Sequence, residues 1–123
     1  MKIAVTSQNF RTISQHAGKT RRFLVFERDL STGQPRIIGR LDLPKEMSMH
    51  EFRGDEHPIF EMDYLIAGSC GEGFVRRMAK ADVEVIITSE QDPLTAVTAV
   101  IEGKPLPPAL PHAHHQTSIL PAP

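Results

Sequence analysis

Apolar positions along the chain fall into five short runs and two helical stripes. Residues 2–6 form a β-rich run, and the apolar residues 23–26 form a second. Residues 36–43 alternate apolar and polar side chains, the period of a half-exposed strand. The turn cluster Ser31-Thr-Gly-Gln-Pro35 joins the second and third runs, which predicts an antiparallel hairpin. Residues 62–67 are apolar enough to be buried on both faces, as parallel strands are, and residues 83–88 supply a fifth, β-branched strand. Between these two, residues 71–81 have helical spacing, with Phe74, Val75, Met78 and Ala79 on one side and Arg76, Arg77 and Lys80 opposite. Asp92 and Pro93 open a second helix, the first as a cap for free N–H groups and the second at a position whose N–H would be unpaired anyway. Leu94, Val97, Val100 and Ile101 are its predicted apolar face, and Gly103 and Pro105 stop it.

Three segments show no such period. Residues 7–21 are polar and carry His16, Gly18, Lys19 and Arg21, and they read as a long loop of the kind that is often functional in a small domain. Residues 44–56 read as a loop with a short helical turn, and His50 lies within it. Residues 105–123 contain six prolines and three histidines and cannot build a core, so they read as a disordered tail behind a domain spanning 1–104. The order β-β-β-loop-β-α-β-α predicts an α/β domain with a mixed sheet. Ligands of such sheets bind outside the carboxyl ends of the parallel strands. If the first, fourth and fifth strands are parallel, the loops after residues 6, 67 and 88 converge on one edge.

Composition narrows the function classes. At 123 residues the chain fits one domain with one core, and 40% apolar with 24% charged residues is the balance of a soluble globular protein. A formal net charge of −1 argues against broad nucleic-acid binding, which leaves a basic excess. A single cysteine excludes an internal disulfide framework and suits a reducing cytoplasm. No apolar stretch approaches the ~18–20 residues that span a bilayer, and the first residues pass directly into a strand without a leader pattern. A cytoplasmic protein that binds neither membrane nor nucleic acid is expected.

Four stretches together resemble the dinitrogenase iron–molybdenum cofactor biosynthesis family. These are Met1-Lys-Ile-Ala-Val5 followed by His16-Ala-Gly-Lys-Thr-Arg-Arg-Phe-Leu-Val-Phe26, then Asp63-Tyr-Leu-Ile-Ala-Gly-Ser-Cys-Gly-Glu-Gly-Phe74, then Val83-Glu-Val-Ile-Ile87 with a short terminal helix. The likeness covers about residues 1–103, the length of a single small domain. It implies a three-layer α/β/α, ribonuclease-H-like fold with a five-stranded mixed sheet. It also implies a non-enzymatic protein of nitrogen fixation that binds or carries the iron–molybdenum cofactor or an iron–sulfur precursor cluster. Nitrogenase or cofactor-assembly proteins would be its partners. The alternative is a regulatory or protein-interaction domain of the same pathway that holds no metal. His16 and the glycine turn at 68–73 match the family pattern, whereas the thiol of Cys70 and the segment 44–58 depart from it.

His16, through the resemblance, and Cys70, through its place before a predicted helix, are the candidate metal ligands. Gly68, Gly71, Gly73 and Arg21 join them in the expected cofactor site. A neutral imidazole can ligate iron or molybdenum, and Arg11, Lys19, Arg21 and Arg22 around His16 can balance an anionic cluster. A thiol beside a helix N-terminus is expected to have a lowered pKa, and thiolate is the form that binds soft metals. The competing reading of Cys70 is a small, buried, hydrophobe-like side chain. His50 and His57 could approach the same edge but are expected rather to cap local structure. The basic face at 76, 77 and 80 is expected to be solvated, and Asp92 to be an N-cap rather than an acid catalyst. The run His112-Ala-His-His115 has incidental affinity for nickel, copper or zinc. No Ser-His-Asp arrangement, phosphate loop or zinc-spaced Cys/His cluster is present. A two-metal nuclease needs carboxylates at its strand ends, and the first strand carries none, which argues against a nuclease. A non-enzymatic protein is expected, with an enzyme acting on a small anionic metabolite at the glycine turn as the weakest reading.

Overall fold

A computed structural model describes residues 1–109. Its core is one five-stranded sheet built from β1 (Lys2–Thr6), β2 (Arg22–Arg28), β3 (Pro35–Asp42), β4 (Tyr64–Ala67) and β5 (Glu84–Ile87), in the spatial order β3-β2-β1-β4-β5. β1 pairs antiparallel with β2 and parallel with β4, and β4 pairs parallel with β5. The hairpin of β2 and β3 contains a register shift beside Val25 and Phe26, where Ile38 is the extra residue on the edge strand.

Two helices cover opposite faces. Because alternate strand residues point to opposite sides, β1 sends Ala4 to one core and Ile3 and Val5 to the other. The first core gathers Ala4, Phe23, Leu65 and Ala67 beneath α1 (Glu72–Lys80), which contributes Phe74 and Met78. Met49 and Ile59, from the segment between β3 and β4, close the same side. The second core gathers Ile3, Val5, Leu24, Phe26 and Ile66 beneath α2 (Pro93–Glu102), through Ala96 and Val97. The expected mixed sheet with helices on both faces is therefore present, and β4 is buried on both sides as its unbroken apolar run required.

The helical stripes are displaced from their sequence reading. Val75 is 42% exposed and Leu94 is 52% exposed, although both were placed on apolar faces by spacing. In α1 only Phe74 and Met78, one turn apart, are buried; in α2 Pro93, Ala96 and Val97 are buried, and Val100 and Ile101 pack against the second core as expected. The caps follow expectation. The Asp92 carboxylate accepts from the Thr95 N–H at 2.9 Å, and Gly103 ends α2 at φ 70°, a left-handed conformation that glycine adopts without penalty.

Two local features lacked a sequence signal. Pro58–Glu61 is a 3-10 turn rather than lead-in to a strand, and β4 begins only at Tyr64. Beyond α2 the chain does not leave the domain at once. Thr88 is buried, and its hydroxyl donates to the Pro107 carbonyl at 2.7 Å while Leu106 packs on the second core.

Candidate functional site

The carboxyl ends of β1, β4 and β5 lie side by side, and the loops that leave them are laced together by main-chain hydrogen bonds. Thr6 at the end of β1 exchanges bonds with Ser14: the Ser14 N–H donates to the Thr6 carbonyl at 2.9 Å, and the Thr6 hydroxyl donates to the Ser14 carbonyl at 2.8 Å. The same Ser14 carbonyl accepts from the Gly68 N–H at 2.9 Å, which ties the first loop to the end of β4. The Ile13 N–H donates to the Gln91 carbonyl at 2.9 Å, which ties it to the loop after β5. Gly68 is needed at this junction, since a Cβ there would sit 2.9 Å from Gln15 Cγ and 3.2 Å from the Ser14 carbonyl oxygen.

His16 is placed by Ser69. Its N–H donates to the Ser69 hydroxyl at 2.9 Å, and the next N–H, of Ala17, donates to the Ser69 carbonyl at 3.0 Å. Between these anchors His16 takes a left-handed backbone conformation at φ 55° and ψ 60°, which costs a non-glycine residue ~1–2 kcal/mol. Strain of this kind persists only where the surroundings over-determine it, and it concentrates at functional sites. Ser69 and Cys70 follow Gly68 and lead into Gly71, the residue that precedes the first turn of α1. The third wall comes from the segment between β3 and β4, where the His50 N–H donates to the Gly18 carbonyl at 2.7 Å.

These contacts enclose an open cavity of about 310 Å³ lined by His16, Gly18, Lys19, His50, Ser69, Cys70 and Gly71. His16 and Cys70, 54 positions apart in sequence (70 − 16), thus share one cavity. The Cys70 thiol is half-buried, and burial pushes its pKa up. This corrects the expectation of a lowered value: desolvation of the sulfur in the packed turn is the cause that acts on it. His50 lines the cavity too, so approach to this edge, the less favoured of its two expected roles, is the one its position fits; no periodicity or motif marks a histidine carried in by one main-chain bond. Its polar neighbour Lys19 supplies a positive charge at the same mouth.

The remaining expected residues are arranged less simply. Gly71 lines the cavity, whereas Gly68 stands behind it against Gln15. Arg21 lies beyond it, with its N–H donating to the Gln8 side chain at 3.1 Å and its carbonyl accepting from Leu43. Gly73 borders a different groove, with Arg53, Arg76, Arg77 and Lys80. His57 caps the turn Pro58–Glu61, as expected. Its Nδ1 accepts from the Ile59 N–H at 3.1 Å, and its Nε2 lies 2.7 Å from the Met47 carbonyl. Since an amide can only donate and a carbonyl only accept, the proton resides on Nε2. Burial pushes the His57 pKa down, partly offset by the bond to Met47 and reinforced by the charge of Arg77. Among the described residues no group of three or more His, Cys, Asp or Glu side chains is arranged to hold a metal ion, and no helix is long and apolar enough to cross a membrane. The histidines at 112, 114 and 115 lie outside the described residues.

The sequence profile of the dinitrogenase iron–molybdenum cofactor family matches residues 1–103. The chain belongs to that family. Three solved structures share its fold. The PH0822 protein is 14% identical, with a TM-score of 0.64 over 85% of this chain and 92% of its own. A candidate dinitrogenase from Methanocaldococcus jannaschii is 17% identical, with a TM-score of 0.58 over 85% of this chain and 90% of its own. A Thermotoga protein described as a candidate NifB and assigned to the DUF35 family is 16% identical, with a TM-score of 0.53 over 91% and 97%. At such identities the likeness is one of fold. No curated protein matches the chain.

Proposed function

We propose that this chain is a non-enzymatic accessory protein of nitrogen fixation that holds an iron–sulfur cluster or the iron–molybdenum cofactor as cargo. The observation that carries this reading is the single cavity shared by the His16 loop and the Ser69–Cys70 turn, in a member of this family. The residues present suit such cargo. An imidazole and a thiol offer nitrogen and sulfur donors to iron, and Lys19 offers positive charge to an anionic cluster. Gly71 leaves the backbone accessible at the start of α1, with open space where a Cβ would stand. Thiol coordination displaces a proton, so Cys70 becomes a ligand when the metal competes for it.

The strand order β3-β2-β1-β4-β5, with β2 alone reversed against β1 and β4, supports a ribonuclease-H-like layering for this domain. A reduced, cytoplasmic setting suits the lone free thiol. Cofactor-assembly proteins or nitrogenase itself would give and take the cargo.

The test is anaerobic mixing of the full chain with isolated cofactor, followed by gel filtration and metal analysis. Co-elution of iron with the protein, reduced by His16→Asn or Cys70→Ser, is the expected result. Retention of the cluster by the double variant at wild-type level would show that the cavity is not the site.

A further inference from the structure

A second concavity, of about 610 Å³, runs along α1 and shares no lining residue with the cargo cavity. Arg53, Arg76, Arg77 and Lys80 surround it, and Asp55 is the one carboxylate on its walls. The chain as a whole carries a net charge of −1, so these cations are a local concentration and not a share of a general excess. None of the four forms an ion pair among the described residues. Glu72 stands one helical turn before Arg76 without pairing to it, and residues 110–123 contain no Asp or Glu.

A solvated helix face is the ordinary fate of such residues, but Arg77 is not free in solvent. Its guanidinium donates to the Met49 carbonyl at 3.0 Å and lies over the rings of Phe52 and Phe60, 5.6 and 5.8 Å from their centroids. A cation is thereby held rigidly at the groove without a carboxylate. Arg76 and Lys80 are successive on one helical stripe, where like charges repel unless an anion lies between them. Arg53 faces them from the other wall.

We infer that this groove docks an acidic segment of a partner protein. The cations at 53, 76 and 80 are exposed, two of them one turn apart on α1 and the third on the segment before β4, which fits carboxylates spaced along a peptide lying across them. An enclosed metabolite would need most of its surface covered, and this groove does not provide that cover. A long nucleic acid would meet the repulsion of a chain with no basic excess. The groove does not depend on His16, Cys70 or any cargo, so this assignment stands apart from the proposed function.

The test uses the full chain and a fluorescein-labelled decapeptide of alternating Glu and Gly, read by anisotropy. The peptide binds at low salt, and the complex weakens as salt shortens the screening length from ~10 Å at 0.1 M towards ~3 Å at 1 M. Combined R53E, R76E and K80E substitutions lower affinity about tenfold or more, while reversal of the equally exposed Arg11, Arg28 and Arg40 changes it less than about threefold. Both triple variants carry the same net charge, and circular dichroism confirms that each is folded. Equal loss in the two variants overturns the assignment, as does absence of peptide binding. Tighter binding of a single-stranded oligonucleotide through the same three residues, or full competition by millimolar inorganic phosphate, overturns it as well.

Discussion

The main-chain N–H of His16 donates to the hydroxyl of Ser69 at 2.9 Å across 53 positions of sequence, and the Ser69 carbonyl accepts from Ala17 immediately after. One serine therefore holds a strained histidine over the turn that carries Cys70. Replacing Ser69 with alanine removes the side-chain half of this clamp and leaves the main-chain half. The expected cost is about 1 kcal/mol of stability by urea titration, a typical net value for one hydrogen bond. Cofactor binding should fall although both candidate ligands remain, because the imidazole loses its fixed position.

The backbone of His16 and its imidazole can be separated by substitution. Asparagine tolerates the left-handed region, so His16→Asn should stay within about 0.5 kcal/mol of the parent while losing the donor nitrogen. His16→Val puts a β-branched side chain at φ 55° and should lose at least ~1–2 kcal/mol. Equal thermal midpoints for the two variants would contradict the strained geometry.

Burial raises the Cys70 pKa, so the thiol is protonated at neutral pH and a metal must displace its proton. Cluster affinity should rise with pH until the thiol ionises unaided. The folded protein shows the linked effect with opposite sign. Its folded-state pKa lies above the unfolded value, so stability is full below the unfolded pKa and declines as pH rises through the folded one. Cys70→Ser should flatten both dependences in binding and in alkaline unfolding measured by circular dichroism.

His57 works in the other direction. Burial depresses its pKa below the ordinary value of 6.5, and its neutral form accepts from Ile59. The unfolded chain takes up the proton first, so stability is present above the unfolded pKa and is lost as pH falls through the folded one. His57→Asn retains an acceptor for the Ile59 N–H but has nothing to titrate. Urea midpoints between pH 7 and pH 5 should fall for the parent and stay level for this part of the profile in the variant.

The Pro107 carbonyl accepts from the buried Thr88 hydroxyl and from the Ser89 N–H, at 2.7 and 3.3 Å. A chain ending at Lys104 leaves both donors without this partner and uncovers the core beside Leu106. It should be about 1–3 kcal/mol less stable than a chain ending at Ala109, the cost of leaving a buried polar group unsatisfied. Thermal midpoints of the two truncations decide the matter.

Much of this architecture is legible in the residues. The apolar runs at 2–6, 23–26 and 83–88 are short and flanked by turn formers, and Asp92, Pro93 and Gly103 mark both ends of α2. The helix between β4 and β5 implies that these two are parallel, and parallel pairing of β1 with β4, a condition in the sequence reading and observed in the sheet, carries His16 and Cys70 to one edge. What escaped was long-range. Spacing gives a helix its period but not its rotation against a sheet, so Val75 and Leu94 were read as core. Nothing local announces that His50 is drawn to Gly18, or that a proline-rich segment first docks beside Thr88. The thiol's pKa depended on how deeply the turn is packed, and a helix end adjacent in sequence says nothing about that.

The position of β1 also dictates an order of events during synthesis. β1 and β2 can pair once about thirty residues exist, but the other edge of β1 finds its partner only when Tyr64, Leu65 and Ile66 arrive opposite Ile3, Ala4 and Val5. At ~5–20 residues per second, that leaves one edge of a hydrophobic central strand open at the ribosome for about two to eight seconds. A nascent chain of this protein is thus most vulnerable to aggregation, and most in need of a chaperone, in the interval before β4 emerges.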